Sequence, residues 1–150
     1  MMKICILLQS QGINSLNHKD KGGETMAKGF FDIKAWQKAD DLAVDVYQST
    51  KSFPRHQLYS LTNQMQRAAV SVAANIAEGS GRGTIADFIR FLYIAYGSLC
   101  ELEYYIHLAK RLDYLDEENH QRLSALQDET ARILTGFIRF KEKEAEALSS

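Results

Sequence analysis

The chain has 150 residues, of which 45% are hydrophobic and 25% charged, with one proline and a formal net charge of −1. This composition is typical of one ordinary globular domain, and the near balance of charge excludes a strong overall attraction to nucleic acid or to anionic membranes. The two cysteines, Cys5 and Cys100, lie far apart without a CxxC motif. They argue against a disulfide framework and favour a reducing, cytoplasmic setting.

The first 25 residues differ in composition from the rest. Their apolar run, ICILL, is shorter than the apolar region of about 7–15 residues in a signal peptide or the roughly 20 residues of a membrane span. A polar segment leads to a second methionine, Met26, and codons for residues 21–24 (KGGE) can spell an AAGGAGG-like ribosome-binding sequence. We interpret Met26 as the native start, residues 1–25 as a leader or disordered segment, and residues 26–150 as the domain. An intact mass beginning at Met1 would contradict this.

Four segments carry core-type residues at alternating intervals of three and four, the period of amphipathic helices. The first spans about 33–52 and ends at Phe53-Pro54, because the residue before a proline disfavours helical backbone. The second spans about 57–78 and the third 85–109. The fourth begins near Asp116, a good N-cap residue, and its predicted stripe is Leu123, Leu126, Thr130, Ile133, Phe137 and Phe140. Short connections between them predict an all-α, up-down-up-down antiparallel four-helix bundle without a sheet.

The segment NIAEGSGRGT (75–84) raises the question of a phosphate-binding loop. It lacks the GxGxxG and GxxxxGK[ST] patterns, and a helix rather than a strand precedes it. We therefore predict a turn between helices, with Gly79 capping the second helix in the left-handed conformation and Thr84 starting the third. Arg82 is expected to lie exposed at the end of the bundle, where an anion held with the amides of the next helix is an alternative.

Polar residues near the predicted core suggest a structural network. Buried polar groups must be paired, and a single core asparagine can fix helix register. We predict that such a network joins Arg67, Asn75, Glu78, Arg90 and Glu101. A ligand or catalytic site among these carboxylates is the alternative.

Di-iron proteins use the same four-helix architecture, with Glu-x-x-His motifs on two helices. Glu117 and His120 have that spacing but lie at the start of the fourth helix, away from the middle of the bundle. Glu103 and His107 are four residues apart and lack a matching motif on another helix. No serine or cysteine nucleophile has a recognisable histidine base, and Cys100 is expected to be packed. We therefore expect no metal, no cofactor and no catalytic residues.

The third helix is too apolar for one packing seam. Beside its heptad stripe it carries Phe91, Ile94, Tyr96, Tyr104, Tyr105 and Leu108. A bundle helix needs an apolar stripe about 100° wide, so the surplus predicts a second buried surface and self-association. The candidates for contact with an anion or nucleic acid are Arg82, Arg132, Arg139, Lys141 and Lys143. Interleaved glutamates make a solvated helix face the simpler interpretation of the last four.

Four motifs carry a family resemblance: WQKADDL (36–42), FPRHQLYSLTNQMQRAAVSVAANIAEGSGR (53–82), RFLYIAYGSLCELE (90–103) and LDYL (112–115). Over about residues 31–141 the chain resembles the four-helix-bundle proteins encoded in intervening sequences of bacterial 23S ribosomal RNA genes, sometimes called S23 proteins. It departs at Gln57, Ser60, Gln66 and Ala73, where Glu, Gly, Arg and Pro are usual. The missing charge at Gln66 weakens a nucleic-acid interpretation.

The resemblance implies ring-shaped homopentamers without an assigned biochemical role. We therefore expect a non-enzymatic oligomeric scaffold or interaction protein in the cytoplasm. A more distant similarity to the accessory proteins of diversity-generating retroelements implies an alternative. Those are basic pentamers that engage reverse transcriptase and nucleic acid. With the acidic residues counted, we expect at most weak, salt-sensitive binding of nucleic acid by this chain.

Overall fold

The computed structural model describes residues 29–149, so the proposed leader lies outside the described residues. Four α-helices occupy most of this range: α1 Lys34–Ser49, α2 Leu61–Ser80, α3 Ile85–Arg111 and α4 Glu117–Ser149. Short 3₁₀ turns span Phe30–Asp32, Thr50–Ser52 and Arg55–Gln57, and no strand occurs within 29–149. Each helix packs against two others, in the cyclic order α1, α2, α3, α4 and back to α1. The predicted all-α up-down bundle is confirmed.

The start of α2 is later than predicted. The segment from Gln57 was expected to be helical, but a 3₁₀ turn ends at Gln57 and α2 begins at Leu61. The residue immediately before α2, Ser60, has non-helical backbone angles of φ −120° and ψ −106°. Its hydroxyl donates to the side-chain oxygen of Gln57 at 2.6 Å instead of capping α2. This local hydrogen bond competes with helix formation at the boundary.

The turn between α2 and α3 is present as predicted, but the role assigned to Gly79 was wrong. Gly79 is buried inside α2, which continues to Ser80, and no glycine within 29–149 has a positive φ. A Cβ on Gly79 would lie 2.7 Å from the Cβ of Phe91 and 2.8 Å from the Cδ2 of Phe88. The glycine is therefore required for the close approach of α3, and it does not terminate α2.

Side chains and backbone cap the later helices. The Thr84 hydroxyl accepts a hydrogen bond from the Asp87 amide at 3.1 Å, and the Asp116 carboxylate accepts one from the Asn119 amide at 2.8 Å. Both predicted N-caps are confirmed. The left-handed cap occurs instead at the end of α3, where Asp113 has φ 58° and the Tyr114 amide donates to the Ala109 carbonyl at 2.9 Å. That pairing is a Schellman motif.

One side of each helix forms the core, and α4 presents a slightly different side than predicted. Its later core positions are Leu134 and Ile138, whereas Phe140 is 60% exposed. A strict seven-residue repeat drifts relative to a straight helix by about 20° per heptad, so the extrapolated stripe left the core along this 33-residue helix. The buried residues of α4 are Leu123, Gln127, Thr130, Leu134 and Ile138.

Candidate functional site

The predicted polar network is smaller than expected and is built on hydroxyls. The Asn75 amide donates to the Ser71 carbonyl at 2.8 Å and to the Ser71 hydroxyl at 3.0 Å. The Ser71 and Ser98 hydroxyls lie 2.9 Å apart and connect α2 with α3. Because Asn75 is only half-buried, this chain of hydrogen bonds stabilises the edge of the α2–α3 interface.

The structure does not join the four charged residues to Asn75. Arg67 on α2 and Glu101 on α3 are exposed and line one shallow groove with the Ser71–Ser98 bridge. Glu78 is exposed and pairs with Arg82, a residue of the following turn. The remaining member, Arg90, is exposed and lies 3.7 Å from the Asp87 carboxylate. The helical period places these side chains on outward faces, so water solvates charges that a core would have to pair.

Two of the five predicted basic contacts lie at the end of the bundle beside phenylalanine rings. The Arg82 guanidinium lies 4.7 Å from the centre of the Phe91 ring and pairs with Glu78. The Lys141 ammonium lies 5.6 Å from the Phe88 ring centre and 2.8 Å from the Glu144 carboxylate. Both cations are thus partly neutralised by carboxylates and held by cation–π contacts, which lowers their value for binding phosphate.

The other three predicted basic contacts form a basic stripe on α4: Arg132, Arg139 and Lys143. They are exposed, and their spacing of seven and four residues places them on one helix face. None of them makes an ion pair with another residue in 29–149. The basic stripe is therefore the part of the predicted set whose charge is available to a partner.

Arg139 also borders a groove between α3 and α4, with a volume of about 280 Å³, that Tyr93 and Tyr96 line. The Tyr93 hydroxyl donates to the Glu142 carboxylate at 2.7 Å. That hydrogen bond is the largest cause that raises the pKa of Tyr93, followed by desolvation and the negative charge of Glu142. The groove thus combines exposed aromatic rings with a basic rim at Arg139. The Glu142 carboxylate already accepts a hydrogen bond from Tyr93.

The surplus apolar residues of α3 divide between core and surface. Phe91 is buried, and Tyr105 and Leu108 pack against the core. The exposed remainder, which we call the outer face of α3, has Tyr104 at 58% exposure as its most exposed ring. Its residues are Ile94, Tyr96 and Tyr104 of that surplus, together with the exposed Tyr93, Gly97 and Cys100. Cys100, expected to be packed, is exposed on this face.

A cleft of about 250 Å³ between α3 and α4 brings together residues that the sequence treated separately. Glu103 and His107 line it from α3, and His120 and Asp128 line it from α4. The Nδ1 atom of His120 is buried without a hydrogen-bond partner in the described part of the chain. No three histidine, cysteine or carboxylate side chains within 29–149 are grouped closely enough to hold a metal ion. The pairing across two helices carries no local sequence signal, because it depends on the register of α3 against α4.

The comparisons with known proteins agree with the bundle. A family model described as the 23S rRNA-intervening sequence protein matches residues 31–136. A crystal structure of a protein of unknown function from the S23 ribosomal protein family of Bacteroides thetaiotaomicron superposes with a TM-score of 0.65. The two sequences are 28% identical, and the match covers 69% of this chain and 97% of the other.

No curated protein matches this sequence. No helix within residues 29–149 is both long and apolar enough to cross a membrane. Since the family model covers most of the described helices, the chain belongs to the 23S rRNA-intervening sequence protein family.

Proposed function

We propose that this protein is a non-enzymatic, self-assembling helical scaffold that acts in the cytoplasm. The observation that carries the proposal is the outer face of α3, along which Tyr93, Ile94, Tyr96 and Tyr104 remain exposed. Three of the six surplus apolar residues of this helix joined the core. The exposed remainder is an apolar surface of the kind that marks an interaction site.

The same face favours a ring. Because α3 packs against α2 and α4, its outer face lies on one side of the bundle. If this face contacts a different surface of a neighbouring copy, the contact is heterologous. Repeating such a contact closes into a ring when the rotation between neighbouring copies is a whole-number fraction of a full turn. The family resemblance favours five subunits.

Light scattering coupled to size-exclusion chromatography, with native mass spectrometry, tests the proposal. We expect a mass near five times that of the chain at micromolar concentration. Tyr104→Glu places a charge on the outer face of α3 and should reduce the mass to that of a monomer. Tyr59→Glu is the matched control, because Tyr59 is 89% exposed in the connection before α2. A monomeric wild-type protein would refute the scaffold.

Nucleic-acid binding is a second candidate, favoured by the unpaired basic stripe of Arg132, Arg139 and Lys143. A ring would repeat the stripe, and repetition multiplies weak contacts only if one strand spans several subunits. Such binding must weaken with salt, with a logarithmic slope of about −0.7 per neutralised phosphate on a single strand. We expect weak, sequence-independent binding and no stable complex at physiological ionic strength.

Fluorescence anisotropy with labelled single-stranded RNA, titrated across salt concentrations, separates the two candidates. Arg139→Ala should weaken the residual binding more than Arg82→Ala, because Glu78 already pairs with Arg82. Tight binding that persists at physiological salt and is lost in either variant would favour a nucleic-acid accessory function over the scaffold.

A further inference from the structure

We propose that the groove between α3 and α4, with its basic rim, receives the acidic face of α1 from a second copy of this chain. The inference rests on the proposed self-assembly and adds which two surfaces meet. The receiving surface consists of Tyr93, Tyr96 and the basic stripe. The incoming surface, the acidic face of α1, is defined by Asp40, Asp41, Val44 and Tyr47.

The acidic face of α1 carries two exposed apolar side chains beside its carboxylates. Val44 is 55% exposed and Tyr47 46% exposed, and with Asp40 they follow a four-three spacing along one face. Asp40 and Asp41 are exposed and make no ion pair with any other residue in 29–149. This face therefore offers two apolar side chains bordered by two unpaired carboxylates.

The receiving surface has the complementary character. Tyr93 and Tyr96 supply exposed rings inside the groove, and Arg139 borders the same groove. Arg132 and Lys143 extend the positive charge along α4, and neither forms an ion pair in the described range. The one carboxylate in the groove, Glu142, accepts a hydrogen bond from the Tyr93 hydroxyl and forms no ion pair with Arg139 in the described range.

The opposite charges of the two surfaces identify the acidic face of α1 as the partner of the groove. Each surface alone leaves exposed apolar side chains next to unpaired charges, and the two sets of charges have opposite sign. Joining them buries the apolar side chains of both and pairs the charges, which also fixes the register of the contact. Because α1 and the α3–α4 groove are different parts of one chain, the contact is head-to-tail and can propagate around a ring.

Charge reversal tests the assignment. Arg139→Glu and the double substitution Asp40→Lys/Asp41→Lys each place like charges in the contact. Each should weaken self-association by about tenfold or more, since like-charge juxtaposition is strongly unfavourable. Combining all three substitutions in one chain should restore the ring. Mixing the two defective proteins should restore their pairwise contact, whereas a ring of five built from both retains one like-charged contact. Rescue is a result that a folding defect cannot produce.

Arg67→Glu is the matched control. It makes the same change in net charge on an exposed residue of α2 that has no ion pair in the described range. It should leave the mass in light scattering unchanged. Raising the salt from 0.15 M to about 1 M shortens the screening length from about 8 Å to 3 Å and should weaken wild-type assembly while reducing the defect of Arg139→Glu.

The outcomes distinguish this inference from the proposal beneath it. A wild-type monomer removes self-assembly altogether. A wild-type oligomer that is unaffected by Arg139→Glu and by Asp40→Lys/Asp41→Lys overturns only the assignment of the two surfaces. Failure of the combined substitutions to restore assembly also overturns it. If Arg139→Glu leaves the oligomer unchanged but abolishes binding of labelled single-stranded RNA, the basic stripe binds nucleic acid. That result would contradict the proposed contact between the groove and α1.

Discussion

Replacing Gly79 by alanine should destabilise the bundle, although alanine is the better helix former. An added Cβ would lie 2.7 Å from the Cβ of Phe91, an atom fixed to the backbone of α3. A rotamer change cannot move that atom away, so α2 and α3 must separate. Overpacking of this kind costs about 1–3 kcal/mol, whereas exchanging a helical glycine for alanine gains at most about 1 kcal/mol. The gain is smaller at the penultimate residue of a helix. We therefore expect a net loss of about 1–2 kcal/mol.

Gly136→Ala is the matched control for this prediction. It makes the same substitution within α4, where an added Cβ would meet nothing within 4 Å. Only the propensity gain remains, so the free energy of unfolding should rise by about 0.5–1 kcal/mol.

Urea unfolding followed by far-ultraviolet circular dichroism, at one fixed protein concentration, measures both changes. The fixed concentration matters because self-association would add to the apparent stability. The free energy of unfolding should fall in Gly79→Ala and rise in Gly136→Ala. A Gly79→Ala protein as stable as the wild type would refute the argument that the α2–α3 approach requires a glycine.

Three further predictions concern helix ends. Thr84→Ala removes the hydroxyl that accepts the Asp87 amide and should cost about 1 kcal/mol of unfolding free energy in the same urea assay, whereas Thr84→Ser should retain most of it. Asp113→Gly relieves a left-handed residue with φ 58° and should raise the melting temperature, with a gain of up to about 1 kcal/mol; a lower melting temperature would show that the carboxylate has another role. Hydrogen bonds from Lys110 and then Gln121 lower the pKa of Glu117 from its ordinary value of 4.5. This carboxylate therefore stabilises the fold above that value, and the contribution disappears as the pH falls through the lowered pKa. The stability difference between wild type and Glu117→Gln should accordingly shrink on acidification, and a difference that grows would contradict the sign.

The helices and their order follow from local sequence. Alternating three-four spacing of apolar residues, a single proline after α1, and the caps at Thr84 and Asp116 are all short-range signals, and each acts within one or two helical turns. A chain with four such segments and short connections has few ways to bury four stripes, so the bundle could be predicted without knowledge of any long-range contact.

Tertiary structure decided the features that depend on distances between helices. The role of Gly79 depends on where Phe88 and Phe91 lie, and no local pattern distinguishes a glycine that caps a helix from one that permits close packing. The drift of the α4 stripe that left Phe140 exposed depends on how straight the helix runs along its neighbours.

The candidate surfaces divide in the same way. Sequence identified Arg132, Arg139 and Lys143 as basic residues, and it identified an excess of aromatic residues on α3. The carboxylate partners of Arg82 and Lys141 are local, four and three residues away. Only the packed bundle placed the Phe91 and Phe88 rings beside these two cations. It also brought His107 and His120 to one cleft. The physical reason is that helical periodicity fixes the side of a helix a residue occupies, whereas the rotation and register of each helix against its neighbours are set by the core as a whole.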